Sequence, residues 1–299
     1  MEPLVSVLIP TYKRSEYLMR AIESVLAQTY KNIEIVVVDD NPAGEEKTKT
    51  QQVLAPYVQS GTVRCVETTG ATGGGAARNY GLRFLTGEYV AFLDDDDRFL
   101  PDKVETQLRF MQENELEMSY QDVQWYDQNE RLVELRKMDR VKEFTREGLL
   151  RVHIVTVIAP TSIYMIRRDA LMRTEGFGEV ARGQDFILML RCIEAGLKIG
   201  YMPGCYVVQY LHDGERISVG EKLIKAQREL YEVQCSYKPI LSRQERRYVD
   251  FRFNAVCAFA SLRGKKFVRA IPFAAKAFLI SPVACAKEAI RYFGGRKGA

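Results

Sequence analysis

EYVAFLDDDDRF (88–99) joins an apolar run, Val90 to Leu93, to four consecutive carboxylates, Asp94 to Asp97. A short continuous apolar run bounded by polar residues reads as a strand buried on both faces, the pattern of a parallel sheet covered by helices. Two unit charges about 4 Å apart repel by about 1 kcal/mol even in bulk water. Four carboxylates at one strand end are therefore either a solvated turn, one of them capping a helix from Pro101, or a site that gathers positive charge.

On the N-terminal side, VSVLI (5–9) and IEIVVVD (33–39) are further β-rich runs. Between them Ser15 is suited to cap a helix whose apolar residues recur at Tyr17, Leu18, Ala21, Ile22 and Val25. A polar helix after Asn41, a strand at TVRCVE (62–67), a glycine-rich loop GATGGG (70–75) and a helix AARNYGLRFL (76–85) precede the acidic run. Strands alternating with helices predict an α/β fold with a mostly parallel central sheet of right-handed βαβ units. Ligands gather at the carboxyl ends of such strands, where Pro10-Thr11, Asp39-Asp40 and Asp94 to Asp97 fall.

Beyond the acidic run, MSYQDVQWYD (118–127) and TSIYMI (161–166) read as strands, RRDALMRTEGF (167–177) and DFILMLRCIEAG (185–196) as helices. EKLIKAQRELYEVQCSY (221–237) and RQERRYVDFRFNAVCAFASL (243–262) are long helical patterns. The expected division is a domain over 1–220 and a C-terminal helical region over 221–299.

Of the 299 residues 46% are hydrophobic and 27% charged, which fits a soluble globular chain and not a disordered or fibrous one. The Met-Glu-Pro start gives no expectation of a signal peptide, and no apolar run suggests a membrane span. Six cysteines without a C-x-x-C pair are expected to be reduced core residues. Residues 263–299 hold nine Lys or Arg against Glu288, so this tail is +8; with +4 overall, the rest carries −4.

GATGGGAA (70–77) does not follow the first strand, as a dinucleotide-binding fingerprint would, and no G-K-[ST] occurs. Carboxylates at strand ends suit Mg²⁺ or Mn²⁺, hard cations that usually hold nucleotide phosphates. Arg78, just upstream, either neutralises Asp40, contacts the ligand or is an exposed helix residue.

VSVLIPTYKR (5–14), IVVVDDNP (35–42), GAARNYGLRFLTGEYVAFLDDDD (75–97), IRRDALMRTEGF (166–177) and GQDFILMLR (183–191), in this order and spacing, resemble the family-2 inverting glycosyltransferases of the GT-A fold. The resemblance covers about residues 4–218 and implies a D-x-D metal motif at Asp94-Asp95-Asp96. Asp96 would ligate Mn²⁺ or Mg²⁺, Asp94 would lie toward the ribose and metal, and Asp95 would line the nucleotide-sugar pocket. Pro10, Thr11, Asp40 and Arg78 match positions around the nucleotide. Asp97 would support the metal site or cap the next helix. Asp185 matches the family's catalytic base, and Gln184 stands where Glu is usual. Gly178 in FGE (177–179) likewise replaces the commoner Asp. His212 in YLHDGERIS (210–218) falls where many members have a His on metal or diphosphate; as a lone histidine it is equally suited to a structural role.

The implied reaction is a single displacement from a nucleotide-diphosphate sugar, a UDP-sugar being favoured, to a hydroxyl of a glycan or lipid-linked acceptor, in cell-surface polysaccharide synthesis. Q-x-x-R-W is absent, which favours one sugar per binding event. Two other classes compete: a catalytically silent sugar-binding or scaffold subunit, and a nucleotidyltransferase, which would need a glycine-rich loop where PTYKRSE (10–16) stands.

In the tail, Phe267, Ile271, Ala274 and Phe278 would share one helix face, opposite Lys265, Arg269 and Lys276. Pro272 would kink or restart the helix, and Ser281-Pro282 would open a second one ending at Gly294. That face would either pack on the catalytic domain or, with the charge contrast, bind an anionic membrane. The expected location is cytoplasmic, peripheral on the inner face of the membrane, with no nucleic-acid partner.

Overall fold

The computed structural model describes residues 2–178, 180, 182–211 and 221–287. His212 and Gly294 lie outside them. The chain divides into two compact units, one of residues 1–153, 158–179 and 184–212, the other of 154–157, 180–183 and 213–299.

The first unit contains β1 (Val5–Thr11), α1 (Ser15–Leu26), β2 (Ile33–Asp39), α2 (Glu45–Gln59), β3 (Val63–Glu67), α3 (Gly74–Leu82) and β4 (Tyr89–Phe92). After the acidic run come β5 (Arg98–Phe99), α4 (Lys103–Glu113), β6 (Met118–Tyr126), β7 (Leu132–Arg136) and α5 (Arg146–Thr156), whose last residues group with the second unit. Then follow β8 (Met165–Arg167), α6 (Arg168–Leu171), α7 (Gln184–Glu194) and β9 (Ile199–Tyr210). Among the described residues the sheet runs β3-β2-β1-β4-β8-β6-β9-β5, with β7 on β6.

Pairing is parallel through β3-β2-β1-β4 and between β6 and β9; β4–β8, β8–β6 and β9–β5 are antiparallel. Register sets Thr11 opposite Asp39 and Leu8 opposite Phe92, so the ends of β1, β2 and β4 lie together. The continuous apolar runs of β1, β2 and β4 are buried, as strands covered on both faces must be. α3 packs tightly on this sheet: a Cβ at Gly81 would come within 2.5 Å of Val38 and 2.6 Å of Leu8.

Several local expectations differ from the structure. Ser15 is the first residue of α1, buried, and the capping position belongs to Arg14, without a side-chain cap. TSIYMI begins as a 3₁₀ turn, Thr161–Ile163, and pairs only from Met165. RRDALMRTEGF yields the single turn α6. β5, β7 and β9 had no expected counterpart. In β9, Pro203 and Gly204 form a bulge, Met202 facing Gln121 and Cys205 facing Asp122, which interrupts the alternation that marks a strand.

The second unit contains α8 (Glu221–Ser236), α9 (Arg243–Arg263), α10 (Phe267–Ile280) and a helical segment α11, described over 282–287. α9 opens on a capping box: the Ser242 hydroxyl accepts from the Glu245 N–H at 3.3 Å, and the Ser242 N–H donates to the Glu245 carboxylate at 2.7 Å. Pro272 lies inside α10 without ending it, and the Ser281 hydroxyl caps α11 by accepting from the Ala284 N–H at 3.3 Å.

α10 buries the small residues Ala270 and Ala277, the latter in a core with Phe251 and Ala255. Its large apolar side chains point outward, with Val268 81%, Ile271 65% and Leu279 79% exposed. The six thiols are free; Cys192 and Cys257 are buried, whereas the other four are half-buried and not core residues.

Candidate active site

The acidic run is not a solvated turn. Asp95, Asp96 and Asp97 are buried, and the N-cap position of α4 is Asp102, without a side-chain cap, and not a member of the run. Arg14, which sequence reading left unassigned, brings the positive charge: its guanidinium bonds the Asp96 carboxylate and lies 3.5 Å from that of Asp95. Asp95 also accepts from the Tyr12 N–H at 3.3 Å. Burial, and then the charge of Asp96, pushes the Asp95 carboxyl up to about 7, with Arg14 opposing. Asp97 turns away to β9, accepting from the Gln209 amide at 3.0 Å and the Tyr210 N–H at 3.2 Å; burial and its acidic neighbours hold its carboxyl well above the usual range. Arg20 clamps the turn, donating to the Asp96 carbonyl at 2.6 Å while its guanidinium stacks 3.6 Å from the Tyr210 ring centroid.

Arg78 does not neutralise Asp40. From the second turn of α3 its guanidinium bonds Asp94 and donates to the Gln184 amide oxygen at 3.0 Å and the Gly74 carbonyl at 3.1 Å. Gln184 opens α7 and Asp185 follows it, so one buried cation ties the acidic cluster to the helix start that carries Asp185. Space forces a glycine at Gly75, where a Cβ would sit 2.6 Å from the Gly178 carbonyl; one at Gly74 would press at 2.9 Å on the tips of the Arg78 and Gln184 side chains. Asn79 holds the segment before α7, its amide bonding both backbone groups of Phe177 at 2.8 and 2.9 Å.

Asp40 serves the glycine-rich loop. Its carboxylate accepts from the Thr72 N–H at 3.0 Å, the Thr72 hydroxyl at 2.7 Å, the Gly73 N–H at 3.0 Å and the Thr68 hydroxyl. Its own N–H donates to the Thr11 carbonyl at 3.0 Å, which fixes the loop beside the end of β1, where Pro10 and Thr11 lie.

His153 is a further residue that sequence reading missed, and no local signal marks it. Its Nδ1 accepts from the Ile158 N–H at 3.1 Å, so Nε2 carries the proton and donates to the Phe186 carbonyl at 2.9 Å, inside the first turn of α7. Its ring stacks on Phe186 at 4.5 Å, and burial lowers its pKa to about 4, keeping it neutral.

The curled, mostly parallel sheet with its covering helices is that of the GT-A class of fold. Solved structures agree: S. aureus TarS 1–349 in complex with UDP-GlcNAc is similar with a TM-score of 0.63 at 20% identity, over 92% of this chain and 81% of that one. Mannosyltransferase PcManGT from Pyrobaculum calidifontis, in complex with GDP-Man and Mn²⁺, is similar with a TM-score of 0.61 at 19% identity, over 99% and 80%.

The family model Glycosyl transferase family 2 matches residues 6–174, more than half of the sequence, and the chain belongs to that family. An uncharacterized glycosyltransferase of Methanocaldococcus jannaschii is 30% identical over 64% of this chain and 65% of its own length. The UDP-Glc:alpha-D-GlcNAc-diphosphoundecaprenol beta-1,3-glucosyltransferase WfaP of Escherichia coli is 33% identical over 39% of this chain and 45% of its own. An uncharacterized glycosyltransferase of Rickettsia typhi is 42% identical over 36% and 32%. The chain thus spans less than two thirds of the length of these relatives.

Proposed function

We propose that this chain is a metal-dependent inverting glycosyltransferase that moves one sugar per binding event from a nucleotide-diphosphate sugar to a hydroxyl of a glycan or lipid-linked acceptor. The observation that carries the reading is the Arg78 bridge, which sets Asp94 of the buried acidic cluster beside the α7 start bearing Gln184 and Asp185. A UDP-sugar and a lipid-linked acceptor are favoured because TarS was crystallised with UDP-GlcNAc and WfaP is a glucosyltransferase from UDP-Glc to a diphosphoundecaprenol-linked sugar. Cell-surface polysaccharide synthesis is the corresponding role. Residues 1–220 are read as the catalytic domain and 221–299 as an accessory helical region.

Asp185 acts as the base. It takes the proton from the acceptor hydroxyl as that oxygen bonds the anomeric carbon, while the bond from that carbon to the diphosphate oxygen breaks on the opposite face. The configuration inverts and the nucleoside diphosphate leaves with the bonding pair. Asp40, through the Thr68–Gly73 loop, Pro10 and Thr11 form the nucleotide side, with Asp95 behind them.

The donor set fits a divalent cation in its chemistry: crowded carboxylate oxygens, one pushed up to about 7 by burial and then by its acidic neighbour, are hard ligands of the kind Mg²⁺ and Mn²⁺ take. Among the described residues no three acidic, His or Cys side chains converge in metal geometry, and Arg14 sits on Asp95 and Asp96 instead. Asp96, with Asp94, would hold the ion, and His212 remains a proposed further ligand. When bound, it supplies Lewis-acid stabilisation of the departing diphosphate.

No described helix is long and apolar enough to cross a membrane. The outward Val268, Ile271 and Leu279 of α10, flanked by Lys265 and Lys276, support peripheral attachment to the anionic cytoplasmic face of the membrane.

Thermal-shift measurements with UDP, GDP, dTDP and CDP, with and without Mn²⁺, test the reading. One nucleotide should raise the melting temperature only with Mn²⁺, by the equivalent of about 2.7 kcal/mol at about 100 times its Kd, and Asp96→Ala should abolish the effect. An equal shift without Mn²⁺ and in Asp96→Ala would refute the metal assignment. Absence of donor turnover would leave the silent-subunit reading.

A further inference from the structure

The second unit contains a groove of about 900 Å³ that sugar transfer leaves unused. It lies among the end of α5, the first turns of α9 and the junction of α10 with α11. Phe251, Ile280, Val283 and Ala284 give it an apolar floor. Arg243 and Arg247, four residues apart on one face of α9, and Lys287 on α11 supply three cations, all exposed. Arg247 donates to the Ile280 carbonyl at 2.6 Å, which holds its side chain across the junction. Arg243 and Lys287 have no ion-pair partner among the described residues. The carboxylate in the lining is Glu245, and it is committed to the capping box of α9.

Three cations over an apolar floor, against one committed carboxylate, disfavour a basic peptide. They complement a molecule with an anionic head and an aliphatic remainder. Val283 in the lining is 67% exposed, and Phe278 and Leu279 near the end of α10 are 57% and 79% exposed, so apolar side chains are open to a lipid chain at this end of the unit.

We propose that this groove binds one acidic phospholipid, its phosphate among Arg243, Arg247 and Lys287 and its first chain carbons over Phe251, Ile280 and Val283. The inference rests on the reading that this unit meets a lipid surface, and it adds a stoichiometric headgroup site to a non-specific attachment. Lipid recognition then resides in residues separate from the sugar-transfer site.

Titration calorimetry of the full chain with dihexanoyl phosphatidic acid below its micelle concentration tests it without any membrane. One-site binding is expected, weakened about tenfold or more in the double variant Arg243→Gln, Lys287→Gln. The melting temperature should not change, because both side chains are exposed. Undiminished binding in that variant, or no binding by the unmodified chain, overturns the proposal. Equal affinity for inorganic phosphate or for dihexanoyl phosphatidylcholine also overturns it, since either would remove one half of the recognition. Co-sedimentation with phosphatidylglycerol vesicles separates the two readings. If Val268→Asp ends pelleting yet keeps monomeric lipid binding, the groove stands. If neither protein pellets while monomeric lipid binds, the groove stands and the surface reading falls. Pelleting without monomeric binding overturns the groove alone.

Discussion

Arg78→Met keeps the length of the side chain and removes its guanidinium. Arg78 is 9% exposed and bonds Asp94, Gln184 and Gly74, the last two at 3.0 and 3.1 Å. A hydrogen bond to a charged partner contributes about 1.5–3 kcal/mol and an ordinary one about 1 kcal/mol. The Asp94 side chain is 29% exposed, so water recovers part of its loss and the low end applies. Together these give about 3.5 kcal/mol, less about 1.5 kcal/mol for no longer burying the cation. The net loss of about 2 kcal/mol should lower the melting temperature by about 4–8 °C. Urea unfolding is best followed by the fluorescence of Trp125, the one tryptophan, which lies in β6 and reports the first unit. In a double-mutant cycle with Asp94→Asn the coupling should be about 1.5 kcal/mol. Coupling below about 0.5 kcal/mol would refute the bridge. Turnover should fall further than donor affinity, because the start of α7 is no longer tied to the cluster.

Asp185→Asn should lower kcat by about 10²–10⁴ while donor affinity stays near normal; a variant keeping more than about a tenth of wild-type turnover would exclude Asp185 as base. His153 titrates near 4 when folded, against about 6.5 unfolded, so its contribution is complete above about pH 6.5 and is lost as pH falls to about 4. The difference in unfolding free energy between the unmodified chain and His153→Asn should therefore shrink by about 3 kcal/mol over that window, and a pH-independent difference would disprove the buried neutral ring. Lys103 is buried without a hydrogen-bond partner for Nζ, 4.1 Å from the Phe99 ring centroid, and burial lowers its pKa to about 7. Lys103→Met should raise stability at pH 7 by about 1–3 kcal/mol in urea unfolding, and a loss would mean that Nζ has a partner.

The strands β1, β2 and β4 were legible because burial on both faces leaves a continuous apolar run, and α1 because its buried positions recur at helical spacing. β9 was not, since its Pro203-Gly204 bulge breaks the period and its pairing with β6 is a long-range choice. Residue chemistry at the candidate site was readable from the motifs, but its wiring was not. Arg78 finds Gln184 across 106 residues of chain, and Asp97 finds Gln209 across 112. No window of sequence contains either pair. Arg14 stood within the first motif, yet only the closure of β1 against β4 brings it to Asp96. On α10 the sequence left open whether the face of Phe267, Ile271 and Phe278 packs or stays outward; it is outward, and Ala270 and Ala277 are the buried residues, Ala277 in the core with Phe251 and Ala255 of α9.

The four aspartates at the end of β4 thus have four different occupations. Asp94 is bound to Arg78, Asp95 to the Tyr12 amide and Arg14, Asp96 to Arg14, and Asp97 to the end of β9. Asp97 joins the acidic turn to the far half of the sheet, and burial with its acidic neighbours holds its carboxyl well above the usual range. The other three face two guanidiniums delivered from α3 and from the start of α1. A run that would repel itself in water is held together because its members meet donors from α3, from the segment between β1 and α1, and from β9. The same crowding leaves the turn short of positive charge, and this favours a ligand that brings a divalent cation with it.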